Sequence, residues 1–138
     1  VALVDPQPGT AFNPQANATQ ARTMEYFRRL GFADEVRAAG LPPDYPTDIA
    51  YYTRFNAHQL ARFPLPSSGA SRKMVAKNQG PWSAAEAPHR VTQKHVEQIL
   101  RKYAEALDCV SVEFNRKVTG FTDHGEHVRG LSEMTRLL

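Results

Sequence analysis

The sequence holds a single cysteine, Cys109. One thiol excludes an internal disulfide and any metal site built from several cysteines, and it suits a reducing compartment; the residue itself reads as an apolar strand position. No apolar run approaches the ~18 residues of a membrane-spanning helix. The first residues carry no charged segment ahead of an apolar one, so the expected setting is the cytoplasm, with no membrane partner. Blocks of like charge are missing too: 17 Lys and Arg stand against 14 Asp and Glu, a net charge of +3, and the basic side chains are dispersed. Nucleic acid, which calls for a basic stripe with stacking aromatics, is not an expected partner.

Two kinds of catalytic signature are also wanting. The five histidines, His58, His89, His95, His124 and His127, are scattered. Only the last two lie close, inside an expected turn, so no metal site is expected. Ser67-Ser68-Gly69 lacks the strand-to-helix setting of a nucleophile elbow. Arg22, Arg28 and Arg29 share a helix with inward Met24 and Phe27, which makes them solvated or ion-paired side chains in preference to a phosphate site.

What is present is the composition of one ordinary folded domain: 138 residues, 41% hydrophobic and 22% charged. Val1-Ala2-Leu3-Val4 reads as a short buried strand that ends at Asp5 before Pro6 and Pro8. A chain that opens on a strand is expected to start mid-fold. After a loop over 6–17, Asn17 or Thr19 can cap a helix with Met24, Phe27 and Leu30 inward, closed by Gly31, and a second short helix runs from Asp34-Glu35 to Gly40. Alternation over Asp48 to Phe63 predicts an antiparallel hairpin turning at Asn56-Ala57. Residues 64–90 read as a long surface connection with one helical turn, in which Trp82 is either a substrate-stacking ring or a packing anchor. Val96, Ile99, Leu100, Tyr103 and Leu107 fall on one face of a helix from Thr92 to about Leu107. A strand at 109–114 and a meander turning at Asp123-His124-Gly125 follow. The fold class is therefore mixed α/β, or α+β.

Asp5 is the one residue whose position alone suggests chemistry, since a carboxylate at the end of a buried strand can accept hydrogen bonds from a ribose. It can equally be a turn former, and no G-x-G-x-x-G turn stands in the chain.

Several segments carry a resemblance. Pro14-Gln15-Ala16-Asn17 with Ala21 to Gly31, Asp48 to Arg54, Leu60-Ala61-Arg62-Phe63 and Pro88 to Gln93 resemble, in order and spacing, the FAD-dependent aromatic-ring monooxygenases of the para-hydroxybenzoate hydroxylase fold, nearest their phenol and dichlorophenol hydroxylase branch. The likeness extends to about Val128 and leaves 129–138 unmatched. It implies part of a Rossmann-like FAD-binding domain (1–47 and 90–138) interleaved with a β-rich substrate-domain hairpin (48–89), with the Gly-rich loop and the later FAD-cradling segments absent. It implies FAD as cofactor, NADH or NADPH as reductant, dioxygen, and a phenolic substrate. Asp5 would hold the adenosine ribose and Gln93 the flavin side, and Gln15 stands where the family usually has Arg, leaving a neutral contact. No residue of this stretch would act as a catalytic nucleophile or acid, because the cofactor carries the chemistry. The chain alone is expected to be inactive. Its exposed strand edge calls for self-association or a complementing chain. The alternative is a non-catalytic ligand- or partner-binding module descended from such an enzyme.

Overall fold

The computed structural model describes residues 1–77 and 84–134. Its elements run β1 (Ala2–Val4), β2 (Ala18–Thr19), α1 (Ala21–Arg29), α2 (Ala33–Ala38), β3 (Ile49–Tyr52), β4 (Gln59–Phe63), α3 (Ser68–Ala76), β5 (His89–Arg90), α4 (Gln93–Glu105), β6 (Ser111–Glu113), β7 (Arg116–Asp123) and β8 (Val128–Met134). The mixed α/β class expected from the sequence is the class observed. Two compact units divide the chain: Gln15–Gln93, and Val1–Pro14 together with the chain from Lys94 onward.

The unit Gln15–Gln93 holds most of the core. Met24, Phe27, Phe32, Ala33, Val36, Ala87 and Val91 are buried, Met24 and Val36 completely. Met24 and Phe27, three apart on α1, turn one stripe inward. The helix ends in a Schellman motif: Phe32 N–H donates to Phe27 O at 3.0 Å and Gly31 N–H to Arg28 O at 3.1 Å, with Gly31 at φ +88°. The apolar contact that accompanies such an ending is the Phe27–Phe32 ring pair, 5.0 Å between centroids. Leu30 is the helix cap and is exposed, so it leaves the inward face expected of it.

The expected caps of α1 are corrected as well. Gln20 stands at the N-cap and its side chain makes no capping bond. Asn17 and Thr19 are engaged elsewhere: Thr19 pairs with His89 in the antiparallel β2–β5 ladder, and Asn17 O accepts from Val91 N–H at 3.1 Å. The stretch read as a surface connection contains a full helix, α3, capped by Ser67, whose hydroxyl accepts from Ala70 N–H. Trp82 lies outside the described residues.

The β3–β4 hairpin forms where expected, with Asn56 and Ala57 in its turn and a bulge at Tyr51/Tyr52. Asp48 ties its base by accepting from Leu65 N–H at 3.0 Å and from Arg62 at 2.9 Å. Those two bonds, Leu65 first, hold the Asp48 carboxyl below its ordinary range.

In the other unit β1 pairs in parallel with β6, Leu3 opposite Val112. The strand was expected to be buried, yet Ala2 and Leu3 are exposed; β6 is its one ladder partner among the described residues. Cys109 is exposed in the turn ahead of β6 and not within a strand, because the bond from Val110 N–H to Leu107 O keeps the chain turning there. The β7–β8 ribbon closes as expected at Asp123-His124-Gly125, with Gly125 at φ +82° and its N–H on Asp123 Oδ1 at 2.8 Å.

Candidate functional site

Asp5 follows β1 directly, where the parallel ladder ends. Its backbone is fixed on both sides, N–H to Glu113 O at 3.0 Å and carbonyl to Arg116 N–H at 2.9 Å. Oδ1 accepts from Gln7 N–H at 2.7 Å, an Asx turn that directs the chain away from the strand. Oδ2 has no partner among the described residues. The carboxylate is half-buried and lines a cavity of about 310 Å³, apolar at Leu3, Leu100, Val112 and Phe114, with Glu97 and Arg101 on the α4 side. Glu97 Oε2 accepts from Ala11 N–H at 2.6 Å, which pins the loop wall of that cavity to α4. Arg101 lies over the Phe114 ring at 4.7 Å and donates to Glu105 at 2.8 Å. The position of Asp5 was legible in the sequence; Glu97 was not, since its partner is a backbone N–H 86 residues away.

Gln93 and Gln15 are brought together in the unit Gln15–Gln93. Gln93 Oε1 accepts from Gln15 N–H at 2.9 Å and Ala16 N–H at 3.2 Å, while Gln93 N–H donates to Ala16 O at 2.9 Å. The side chain thus stitches the start of α4 to the loop before β2. The Gln15 side chain is exposed and makes no bond among the described residues. Asp5 belongs to the other unit.

The arginines of α1 behave as read. Arg22 pairs with Glu25 at 2.9 Å, and Arg28 reaches Glu86 at 3.5 Å. Among the described residues no group of three or more His, Cys, Asp or Glu could hold a metal ion. His124 and His127 merely stack, 4.9 Å apart. No helix of the described residues is long and apolar enough to cross a membrane.

His89 and Arg37 form a second polar centre that the sequence did not signal. His89 is buried, and its Nε2–H donates to Arg37 O at 3.1 Å. Burial first, then the neighbouring Arg37 charge, lowers its pKa below 6.5. A base whose folded pKa lies below its unfolded value binds more protons when unfolded, so its contribution to stability is present above pH 6.5 and is lost as pH falls from there toward the folded pKa. Urea unfolding midpoints are expected to drop between about pH 7.5 and about pH 5.5, and His89→Gln is expected to flatten that dependence. An unchanged slope in the variant would remove His89 as the cause.

Comparison with known proteins places this arrangement. The model of the family described as "FAD binding domain" matches residues 1–135. The chain belongs to this family. The match runs on through β8, beyond the Val128 limit read from the sequence. The FAD-dependent monooxygenase opdD of Penicillium oxalicum is 32% identical to this FAD-binding-family chain over 102 residues, 73% of the chain and 20% of that protein. The 2,4-dichlorophenol 6-monooxygenase of Cupriavidus pinatubonensis is 28% identical over 134 residues, 97% of the chain and 21% of that protein. Among solved structures, the rebeccamycin biosynthetic enzyme RebC with reduced flavin superposes with a TM-score of 0.75 at 27% identity, over 96% of the chain and 24% of that enzyme. The flavin-dependent monooxygenase PieE, in complex with FAD and substrate, superposes with a TM-score of 0.78 over 97% of the chain and 22% of that protein; at 21% identity it speaks for the fold alone. The family chain therefore spans about one fifth of the length of the curated relatives it matches, and its relatives are FAD-dependent monooxygenases, as the sequence resemblance implied.

Proposed function

We propose that this chain supplies part of the FAD site of an aromatic-ring hydroxylase that takes electrons from NADH or NADPH, uses dioxygen and acts on a phenolic substrate. The observation that carries the proposal is Asp5: a half-buried carboxylate at the end of a parallel strand, one oxygen fixed by Gln7 N–H and the other without a partner among the described residues. Two ribose hydroxyls are the natural donors for such an acceptor, and the cavity beside it has the apolar walls an adenosine would need. On donor chemistry, then, the residues present fit the adenosine end of FAD. When bound, FAD supplies the redox chemistry.

The chain's own residues bind and orient. Asp5 accepts from the ribose, and Glu97 keeps the loop wall at Ala11 in place. Gln93 orders the 15–16 backbone, from which the exposed side-chain amide of Gln15 offers the cofactor a neutral hydrogen bond, weaker than the charged contact an Arg would make. In this reading 1–47 and 90–138 serve the cofactor side, and 48–89 the substrate side, where Tyr51, Phe55 and Phe63 offer exposed aromatic surface. The open side of β1 takes a complementing chain or a second copy.

The test is a fluorescence titration of FAD with the 138-residue chain. Saturable binding is expected, weakened at least about tenfold in Asp5→Ala, because a charge-assisted hydrogen bond contributes about 1.5–3 kcal/mol. A chain that is folded by circular dichroism yet shows no saturable binding would overturn the proposal. Equal affinity in Asp5→Ala would move the ribose contact elsewhere.

A further inference from the structure

Among the described residues four buried side-chain polar atoms have no hydrogen-bond partner, and three of them sit on one touching pair: Nε and Nη1 of Arg37, and Nδ1 of His89. Buried donors are nearly always paired, so two orphans on a guanidinium whose side chain is 7% exposed call for an acceptor. Nη2 already has its acceptors, Glu86 Oε2 at 2.8 Å and Ala87 O at 2.8 Å. Arg37 and His89 both line a cavity of about 580 Å³ between α2 and α3.

The rest of that wall is cationic. Ser68, Gly69, Arg72, Lys73 and Ala76 recur at helical spacing along one face of α3, and all of them line the cavity. The carboxylate nearest Arg72 is Asp34 at 3.8 Å, with both side chains exposed, a pair that neutralises little. Lys73 has no ion pair among the described residues. The resulting positive potential reaches His89, whose proton affinity is reduced by the charges of Arg37 and Arg72 in addition to its burial.

We propose that the cavity between α2 and α3 is a binding site for the phosphate group of a soluble small molecule, held by Arg37, Arg72 and Lys73. A guanidinium presents a planar fork that matches phosphate oxygens, and Lys73 adds a compact charge. Arg37 shares its charge with Glu86, but Arg72 and Lys73 leave the wall net positive, which favours a dianion over a single carboxylate, and the cavity has room for more than the phosphate itself. The site uses none of Asp5, Gln15 or Gln93, so it stands or falls apart from the flavin reading.

Pyrophosphate is the probe, titrated into the 138-residue chain at about 0.15 M salt, where loose surface attraction is screened. The readouts are the thermal midpoint and the His89 ring resonance. Both are expected to move along one saturating curve, since an anion beside Arg37 and Arg72 offsets the charges that His89 feels. Arg72→Gln with Lys73→Gln, both at exposed positions of α3, is expected to leave the urea midpoint without ligand unchanged and to weaken pyrophosphate binding at least about tenfold, the equivalent of ~1.4 kcal/mol. No saturation at millimolar pyrophosphate, or equal affinity in the double variant, overturns the proposal. So does binding to phosphatidylcholine vesicles containing phosphatidic acid without any response to pyrophosphate, which would make the basic wall a lipid-headgroup contact.

Discussion

Met24→Ala is expected to lower the unfolding free energy by about 2–5 kcal/mol, enough to leave a domain of ordinary stability with a substantial unfolded fraction. Met24 is completely buried on α1, and truncating it removes most of a side chain from a core that also contains Phe27, Phe32 and the completely buried Val36. The Schellman ending of α1 ties the Phe27 carbonyl to Phe32 N–H, so the segment carrying both rings has little freedom to collapse into the space. Incomplete relaxation puts the expected cost above the transfer term alone. Urea unfolding followed by far-ultraviolet dichroism measures the loss. Leu30→Ala is the control: the residue is 64% exposed at the helix cap, and its replacement is expected to stay within about 0.5 kcal/mol. Equal losses in the two variants would mean that the α1 face does not anchor this core.

Gly40→Ala is the second large effect. A methyl group at position 40 would stand 2.2 Å from His89 Nε2 and 2.5 Å from Arg90 O, far inside contact distance. Neither neighbour can withdraw cheaply. The Arg90 carbonyl accepts from Leu41 N–H at 3.1 Å, and the His89 ring is buried with its Nε2–H on Arg37 O. The methyl therefore has to push β5 from the end of α2, and a loss of at least about 1–3 kcal/mol is expected. Because the shift also uncovers the His89 ring, whose burial is the first cause of its lowered pKa, the variant is expected to lose part of the pH dependence assigned to His89. Gly9→Ala, where an added methyl meets nothing within 4 Å, is expected to be neutral in the same urea experiment. A neutral Gly40→Ala would show that β5 and α2 have slack that their hydrogen bonds do not suggest.

Where the fold could be read from the sequence, a period carried it. Met24 and Phe27 marked α1, and Ile99 with its neighbours marked α4. The turn residues of 56–57 and 123–125 marked the two hairpins. α3 escaped because Ser68, Gly69 and Ser71 leave it without an apolar stripe; the residue it buries is a serine. The two-residue β2–β5 ladder is too short for any period, and missing it sent the α1 cap to Thr19, which the ladder occupies. The candidate site divides the same way. Asp5 sits beside its own strand and is visible locally, whereas Glu97 and the Arg37–His89 pair are made by contacts 86 and 52 residues apart in the chain.

That separation bears on the order in which the molecule can form during synthesis. Everything that closes the unit Gln15–Gln93 has left the ribosome once Gln93 emerges, so its helices and hairpins can settle while the remaining chain is still being made. β1, which precedes that unit in the chain, has to wait for β6 and for the carboxylate of Glu97 before its ladder with β6 and the loop beside Asp5 can take shape. The strand that presents Asp5 is thus made well ahead of the strand it pairs with, with a long loop to close before its contacts return anything.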